Sequence, residues 1–131
     1  MSNSDNPMIE KGKGPLGKKG EQVAAEFLEA HGHTILQRNW RSGHLEIDLI
    51  SEDDFGLHFV EVKSRTAPIE AAPEENVNPR KQGKITSAAL RYLNSIGGGD
   101  KEVFFDIIAV VFNGDKTTVK YFPQAWIPLY T

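Results

Sequence analysis

The run from Val103 to Phe112 limits the fold of this chain more than any other part of the sequence. It is almost continuously apolar and rich in β-branched and aromatic residues, and Asp106 is the one charged residue within it. A strand of this kind leaves no face for water, so it belongs in a sheet that is covered on both sides. The run therefore predicts an α/β fold in which helices pack against a sheet.

The remaining elements are predicted from the spacing of apolar residues. Helical spacing appears in 20–31 and again from Pro79 to Ile96, where Gly97 to Gly99 end the second helix. Alternating or continuous apolar patterns predict strands at 34–40, 45–50, 57–63, 103–112 and 118–122. The expected order is α-β-β-β-α-β-β, a mixed sheet flanked by helices, with a loop over 66–79. We expect a single domain over 17–131 behind a flexible tail at 1–16.

Composition excludes several classes of site and suggests a location. The chain of 131 residues contains no cysteine, which rules out disulfides, thiolate zinc sites and cysteine nucleophiles. Residues 1–20 are polar and glycine-rich, without an apolar stretch of the kind found in signal peptides or membrane spans. We therefore expect a cytoplasmic protein with no membrane partner.

The net charge of −3 conceals an uneven distribution along the chain. Segment 45–76 is strongly acidic, and segment 77–101, which follows it directly, is basic. Carboxylates for a metal ion beside cations for a phosphate backbone are what a phosphate-cutting site needs. Charge alone favours the alternative, that these are ordinary solvated surfaces.

Four ionisable residues on two neighbouring predicted strands form the strongest candidate site. Strand alternation places Glu46 and Asp48 on one face of their strand, and Glu61 and Lys63 on one face of the next. If the hairpin register brings these faces together, repelling carboxylates would favour entry of a hard divalent cation, with the backbone carbonyl of Val62 as a further ligand. The alternative is that these are simply the residues of a solvated strand face.

The chain resembles the YraN family of bacterial proteins in segments that keep the family's order and spacing across residues 17 to about 125. The matching segments are Gly17-x-x-Gly20-Glu21, Leu45-Glu46-Ile47-Asp48-Leu49-Ile50, Phe59-Val60-Glu61-Val62-Lys63-Ser64-Arg65, Lys81-Gln82-x-Lys84 and Phe105-Asp106-Ile107-Ile108-Ala109-Val110. The resemblance implies a restriction-endonuclease-like fold and a nuclease similar to archaeal Holliday-junction resolvases. One departure is Leu45, where the family commonly has glycine, and it puts the role of Glu46 in doubt.

The resemblance also implies roles for individual residues. Asp48, Glu61 and Lys63 match the catalytic Asp…Glu-x-Lys motif, with Mg²⁺ or Mn²⁺ as the cofactor. The implied metal ligands are Asp48, Glu61, the Val62 carbonyl and Glu21 of the first helix. Residues expected around the site to contact nucleic acid are Arg41, Arg65, Arg80, Lys81, Gln82 and Lys84. DNA is favoured over RNA as substrate, and a homodimer is expected by analogy alone.

Three functional hypotheses follow. The first is a metal-dependent endonuclease that acts on nucleic acid phosphodiesters, with branched or structured DNA implied by the resemblance. The second is a nucleic-acid-binding or adaptor module that keeps the fold without turnover. The third is an unrelated structural α/β domain in which the motif is accidental.

Other residues carry weaker signals. Gly12-x-Gly14-x-x-Gly17 spells a dinucleotide-binding pattern, but no strand precedes it. Trp40 and Trp126 are expected in the core or at a wet edge rather than stacked on bases. The four histidines, which lie in different elements without zinc-site spacing, are interpreted as helix-end and surface residues: His31, His33, His44 and His58. Asp106 is expected either to pair with a basic residue or to support a site, and the sequence does not decide between these.

Overall fold

The computed structural model describes residues 14–68 and 77–128. Its elements are α1 (Pro15–Ala30), β1 (Thr34–Ser42), β2 (Leu45–Glu52), β3 (Gly56–Thr66), α2 (Pro79–Ser95), β4 (Glu102–Asn113) and β5 (Lys116–Phe122). The predicted order α-β-β-β-α-β-β is confirmed, and each strand extends beyond its predicted bounds at one end or both.

The five strands form one mixed sheet in the order β1-β2-β3-β4-β5. Neighbouring strands are antiparallel, except for β3 and β4, which run parallel over eleven residue pairs from Gly56↔Glu102 to Thr66↔Phe112. Parallel neighbours need a crossover connection, and α2 lies in that connection. The edge position predicted for the last strand is confirmed, since β5 pairs with β4 at one end of the sheet.

Each face of the sheet carries one of the two described helices, and two apolar clusters result. We call them the α1-side core, which contains Ala24, Leu28, Leu49, Val60, Ile108 and Val110, and the α2-side core, which contains Ile47, Ile50, Phe59, Ile85, Phe105 and Trp126. Strand β4 contributes to both clusters, which confirms that the run from Val103 to Phe112 is covered on both faces.

Both helices begin with a proline at a position that tolerates it. In α2, Asn78 is the N-cap, its side chain accepts a hydrogen bond from the Lys81 backbone N–H, and Pro79 follows in the first turn. In α1, Pro15 occupies the same place after Gly14. The predicted start of α1 at Gly20 is therefore wrong by more than one turn, because Pro15 already lies in the first turn.

Two predicted segments fall partly outside the described residues. The flexible tail was predicted over 1–16, of which 1–13 are not described, while Pro15 and Leu16 belong to α1. The loop was predicted over 66–79, of which 69–76 are not described, while β3 ends at Thr66 and α2 begins at Pro79.

The alternation predicted for β2 is wrong at one point. Leu45, Ile47 and Leu49 were expected on the same face, but Leu45 and Ile47 lie in the α2-side core and Leu49 lies in the α1-side core. Ile50 returns to the α2 side. The period of two is therefore interrupted between Ile47 and Leu49, and the residue between them is Asp48.

Candidate functional site

Asp48 lies where strands β2 and β3 stop pairing with each other. Their antiparallel pairs run from Glu52↔Leu57 to Leu49↔Val60, and the carboxylate Oδ2 of Asp48 accepts the backbone N–H of Val62 at 2.8 Å. A side-chain oxygen thus takes the place of a strand carbonyl as the acceptor for β3. The N–H and C=O groups of one strand residue point toward the same neighbouring strand. Because the Val62 N–H faces Asp48 of β2, the Val62 carbonyl also lies on the side of β3 that faces β2.

The neighbouring strand is also distorted at this level. Arg38 of β1 pairs with Leu49, so the next residue, Asn39, lies opposite Asp48 in the antiparallel register. Asn39 has φ 51°, a left-handed conformation that is uncommon for a residue with a side chain. The local departure from strand geometry in β1 accompanies the interrupted alternation of β2 at Asp48.

Glu61 of β3 is the second carboxylate of the site. Glu61 and Asp48 are each 8% exposed, and their side chains interact directly. Burial, the charge of Asp48 and a hydrogen bond to it together raise the pKa of Glu61 to about 7, against the opposing effect of Lys81. Because two carboxylates lie together in this buried position, the Glu61 carboxyl group can bind or release a proton or a cation near neutral pH.

Lys81 of α2 provides the cation nearest to this pair. Its Nζ lies 2.6 Å from Glu61 Oε2, and its side chain is 53% exposed. The sequence predicted Lys81 as a phosphate contact, whereas the structure pairs it with a predicted metal ligand. The first turn of α2 therefore directs an ammonium group at the carboxylates of the sheet.

A cavity of about 510 Å³ opens over these groups. We call it the carboxylate cavity, and its charged or ionisable lining consists of His44, Glu46, Asp48, Glu61, Arg80, Lys81 and Lys84. Glu46, whose role the sequence left in doubt, also carries an ion pair with Arg41, with 3.6 Å between Oε1 and Nη2. The acidic strands and the basic helix predicted from the charge distribution thus face each other across one cavity.

Lys63 and Arg65 line an adjoining cavity of about 460 Å³ toward the end of β3. Glu61, Asn78 and Lys81 line both cavities, so the ion pair between Lys81 and Glu61 lies between the two spaces. The predicted catalytic lysine therefore lines a cavity that shares Glu61 with the carboxylate cavity.

Two further predicted site residues, Glu21 and Gln82, lie in the helices α1 and α2. Glu21 is buried in α1 next to Gly20, and a Cβ added to Gly20 would lie 1.8 Å from the Ser64 Oγ of β3. This close contact brings α1 against the strand that carries the motif, but Glu21 is not in the lining of either cavity. Gln82 donates its side-chain N–H to the Val77 carbonyl at 2.7 Å, and so holds the chain that enters α2.

The donor set of the carboxylate cavity suits a hard divalent cation. The buried carboxylates of Asp48 and Glu61 and the backbone carbonyl of Val62 supply oxygen ligands, which Mg²⁺ and Mn²⁺ prefer. The raised pKa of Glu61 has the same origin, since uncompensated negative charge attracts either a proton or a metal ion. Asp48, Glu61 and Val62 are thus the residues that could hold the metal.

A second group of ionisable residues was missed by the sequence interpretation. His33 and His58 were assigned to helix ends and surface, and this is wrong: they are 8% and 6% exposed and lie with Asp53 in one cluster. His58 shares the parity of Val60, which points into the α1-side core, and this was the available signal. Asp106, fully buried in β4, is the partner of His58, with 2.7 Å between Oδ2 and Nδ1.

Comparison with known proteins decides the family. Residues 20–110 of this chain match a family model described as "Uncharacterised protein family UPF0102". The chain belongs to the UPF0102 family. This confirms the predicted membership of the YraN family, which is the same family.

Other UPF0102 proteins are similar to this chain over most of its length. One from Anaeromyxobacter dehalogenans is 39% identical over 88% of this chain and 86% of its own. One from Syntrophomonas wolfei is 37% identical over 85% and 96%, and one from Bacteroides thetaiotaomicron is 38% identical over 86% and 93%. The matched region of this UPF0102 member contains Asp48, Glu61, Lys63 and α2. Within its described residues, none of the helices is long and apolar enough to cross a membrane.

Proposed function

We propose that this protein is a metal-dependent nuclease that hydrolyses phosphodiester bonds of nucleic acid in the carboxylate cavity. The observation that carries the proposal is the pair of Asp48 and Glu61, in which burial and the charge of Asp48 raise the pKa of Glu61 to about 7. A solvated strand face, the alternative interpretation, would leave two separate and exposed carboxylates. The resemblance to nucleases with a restriction-endonuclease-like fold supports the same assignment.

The residues of the site have distinct tasks in this proposal. Asp48, Glu61 and the Val62 carbonyl hold a Mg²⁺ or Mn²⁺ ion. When bound, such an ion stabilises the charge that develops on the phosphate oxygens and makes water a better nucleophile. With the ion bound, Glu61 would stay ionised as a ligand, and the proton that the attacking water loses would pass to solvent.

Lys63 has a positioning and electrostatic task. It lines the adjoining cavity together with Glu61, so its ammonium group orients the attacking water and stabilises the pentavalent phosphorus centre. Hydrolysis forms one bond from the water oxygen to phosphorus and breaks one phosphorus–oxygen ester bond. The leaving oxygen then takes up a proton from solvent.

The cations around the two cavities bind the phosphate backbone. Arg80 and Lys84 line the carboxylate cavity and Arg65 lines the adjoining one, so a strand that passes over Glu61 meets cations on both sides. Contacts of this kind give affinity without sequence preference. We propose branched or otherwise structured DNA as the substrate. We also propose a cytoplasmic location and, by resemblance, a homodimer.

A cleavage screen tests the proposal. Linear, single-stranded, flapped and four-way DNA are incubated with Mg²⁺ or Mn²⁺, and the parent is compared with Asp48→Asn and with Asp100→Asn, an exposed carboxylate outside the site. Cleavage that Asp48→Asn loses and Asp100→Asn keeps supports the nuclease. No cleavage of any substrate by the parent overturns it.

One observation favours a second candidate, a nucleic-acid-binding module without turnover. Lys81 neutralises Glu61 through an ion pair of 2.6 Å. The charge of Glu61 is therefore balanced by the protein itself, without a metal ion. In that case the four DNA forms bind the protein with equal affinity in EDTA and in Mg²⁺, and none is cut.

A further inference from the structure

A cluster of His33, Asp53 and His58 lies on the opposite face of the sheet from the carboxylate cavity. His33 follows α1, Asp53 is in the turn between β2 and β3, and His58 is in β3. One ligand atom from each lies within 4.8 Å of the others. None of the three residues contributes to the carboxylate cavity.

The donor atoms of the cluster converge as metal ligands do. His58 Nε2 lies 2.8 Å from Asp53 Oδ1, and His33 Nε2 lies 3.5 Å from Asp53 Oδ2. In a tetrahedral zinc site with bonds of about 2.0–2.1 Å, neighbouring ligand atoms are about 3.3 Å apart. The two separations to the Asp53 oxygens lie on either side of that value, and the three ligand atoms lie within 4.8 Å of one another, so a zinc ion requires the three side chains to shift toward a common centre.

Each imidazole is held by its other nitrogen. His58 Nδ1 lies 2.7 Å from Asp106 Oδ2, and His33 Nδ1 lies 2.9 Å from Ser51 Oγ. A carboxylate or hydroxyl on the second ring nitrogen is the usual support for a metal-bound histidine, because it fixes the tautomer and the ring orientation. Each Nε2 atom thereby faces an oxygen of the Asp53 carboxylate.

The carboxylates of this cluster are fixed as well. Asp53 Oδ1 accepts the backbone N–H groups of Phe55 and Gly56 at 3.0 and 3.2 Å. Asp106, which is fully buried, also accepts the Tyr121 hydroxyl at 2.6 Å. Two carboxylates therefore lie in or beside the core, and a dication bound between two neutral imidazoles would balance their charge.

We propose that His33 Nε2, His58 Nε2 and the Asp53 carboxylate bind one Zn²⁺ ion. Two imidazoles and a carboxylate are a ligand set that zinc accepts and that Mg²⁺ disfavours. The three residues line a cavity of about 370 Å³ with Phe55, Phe104 and Tyr121, and this cavity has room for a water molecule in the fourth position. The ion replaces the proton that His58 Nε2 otherwise donates to Asp53.

Metal binding is measured in the Asp48→Asn background, so that the carboxylate cavity does not contribute. We expect this protein to bind one equivalent of Zn²⁺ by calorimetry in the presence of excess Mg²⁺. Co²⁺ in place of Zn²⁺ should give the intense visible bands of a tetrahedral site. Absence of saturable Zn²⁺ binding, or Zn²⁺ binding that Mg²⁺ displaces, overturns the proposal and leaves a metal-free network with a protonated His58.

Two ligand variants and one matched histidine control assign the site. In the same background, His33→Gln and Asp53→Asn should weaken Zn²⁺ binding more than about 100-fold, while His44→Gln, an exposed histidine of the other cavity, should leave it unchanged. Ser51→Ala keeps all three ligands and should weaken binding roughly 10-fold, which provides a variant that retains the core if a ligand variant fails to fold. Equal affinity in His33→Gln and His44→Gln overturns the assignment.

Discussion

Lys81 Nζ contacts Glu61 Oε2 at 2.6 Å, and this ion pair lies between the carboxylate cavity and the cavity lined by Lys63. The ammonium group supplies positive charge to Glu61 in the absence of metal. A metal ion at Glu61 must displace it or share the carboxylate with it. Lys81 thus links the basic face of α2 to the chemistry of the sheet, and its removal has consequences for both.

Lys81→Met should increase the affinity for Mg²⁺ or Mn²⁺, because the metal no longer competes with an ammonium group. We expect a gain of roughly 2- to 5-fold, the size of a partly exposed ion pair. Lys84→Met is the matched control, since Lys84 lines the same cavity and has no described ion pair with Glu61. Calorimetry with both variants distinguishes a local competitor from a general change of charge, and equal effects would contradict the local role.

Asp48→Asn should leave the metal-free protein at least as stable as the parent. The amide keeps an oxygen that can accept the Val62 N–H, while the charge that repels Glu61 is lost, and this should add ~1–2 kcal/mol to the free energy of unfolding. The rise in melting temperature with excess Mg²⁺ or Mn²⁺ should largely disappear. Melting curves in EDTA and in metal measure both effects, and equal metal shifts in the two proteins would exclude the site.

The stability of the metal-free protein should fall as pH rises from about 4.5 to about 7, because the folded-state pKa of Glu61 is raised over that range. Below pH 4.5 the carboxyl is protonated in both states, whereas above pH 7 the folded protein must ionise it at a cost of up to ~3 kcal/mol. Glu61→Gln should remove this component, and Glu29→Gln, an exposed carboxylate of α1, should not. Urea unfolding at pH 5 and pH 8 in EDTA gives the difference between variants.

Lys63→Ala should separate cleavage from binding. We expect the cleavage rate to fall by about 10²- to 10⁴-fold, as for loss of a group that assists proton transfer or charge development. Affinity for metal should stay within about 3-fold, because Lys63 is not a ligand. Single-turnover cleavage and calorimetry make the comparison, with Lys116→Ala on β5 as an exposed control. Cleavage at the parental rate would remove Lys63 from the mechanism.

Much of the fold was predictable because its signals are local. A proline at a helix start identifies that helix from neighbouring residues alone, and the apolar run of β4 identifies that strand in the same way. The meeting of Asp48 with Glu61 was predictable as far as hairpin register goes, but the slip that moves Leu49 to the other core depends on the left-handed Asn39 across the sheet. No pattern within β2 reports that conformation.

The contacts that the sequence did not predict join parts of the chain that are distant in the sequence. Lys81 meets Glu61 only because α2 docks across the sheet, and spacing along α2 gives no information on that docking. His33 lies between α1 and β1, His58 in β3 and Asp106 in β4, so their convergence follows from tertiary packing. Their buried positions were the only signal in the chain itself, since a carboxylate inside an apolar strand requires a partner.

Strand β3 carries Glu61 toward α2 and His58 toward α1, three residues apart. The alternation is regular in this part of β3, so a separation of three residues assigns opposite faces, and one backbone segment serves two chemically different surfaces at once. Inserting or deleting one residue between His58 and Glu61 would place both on the same face, so one of the two arrangements would lose its β3 residue. The length of this short segment is therefore under a double constraint, and variation of the chain is better tolerated in the turns that flank β3 than within it.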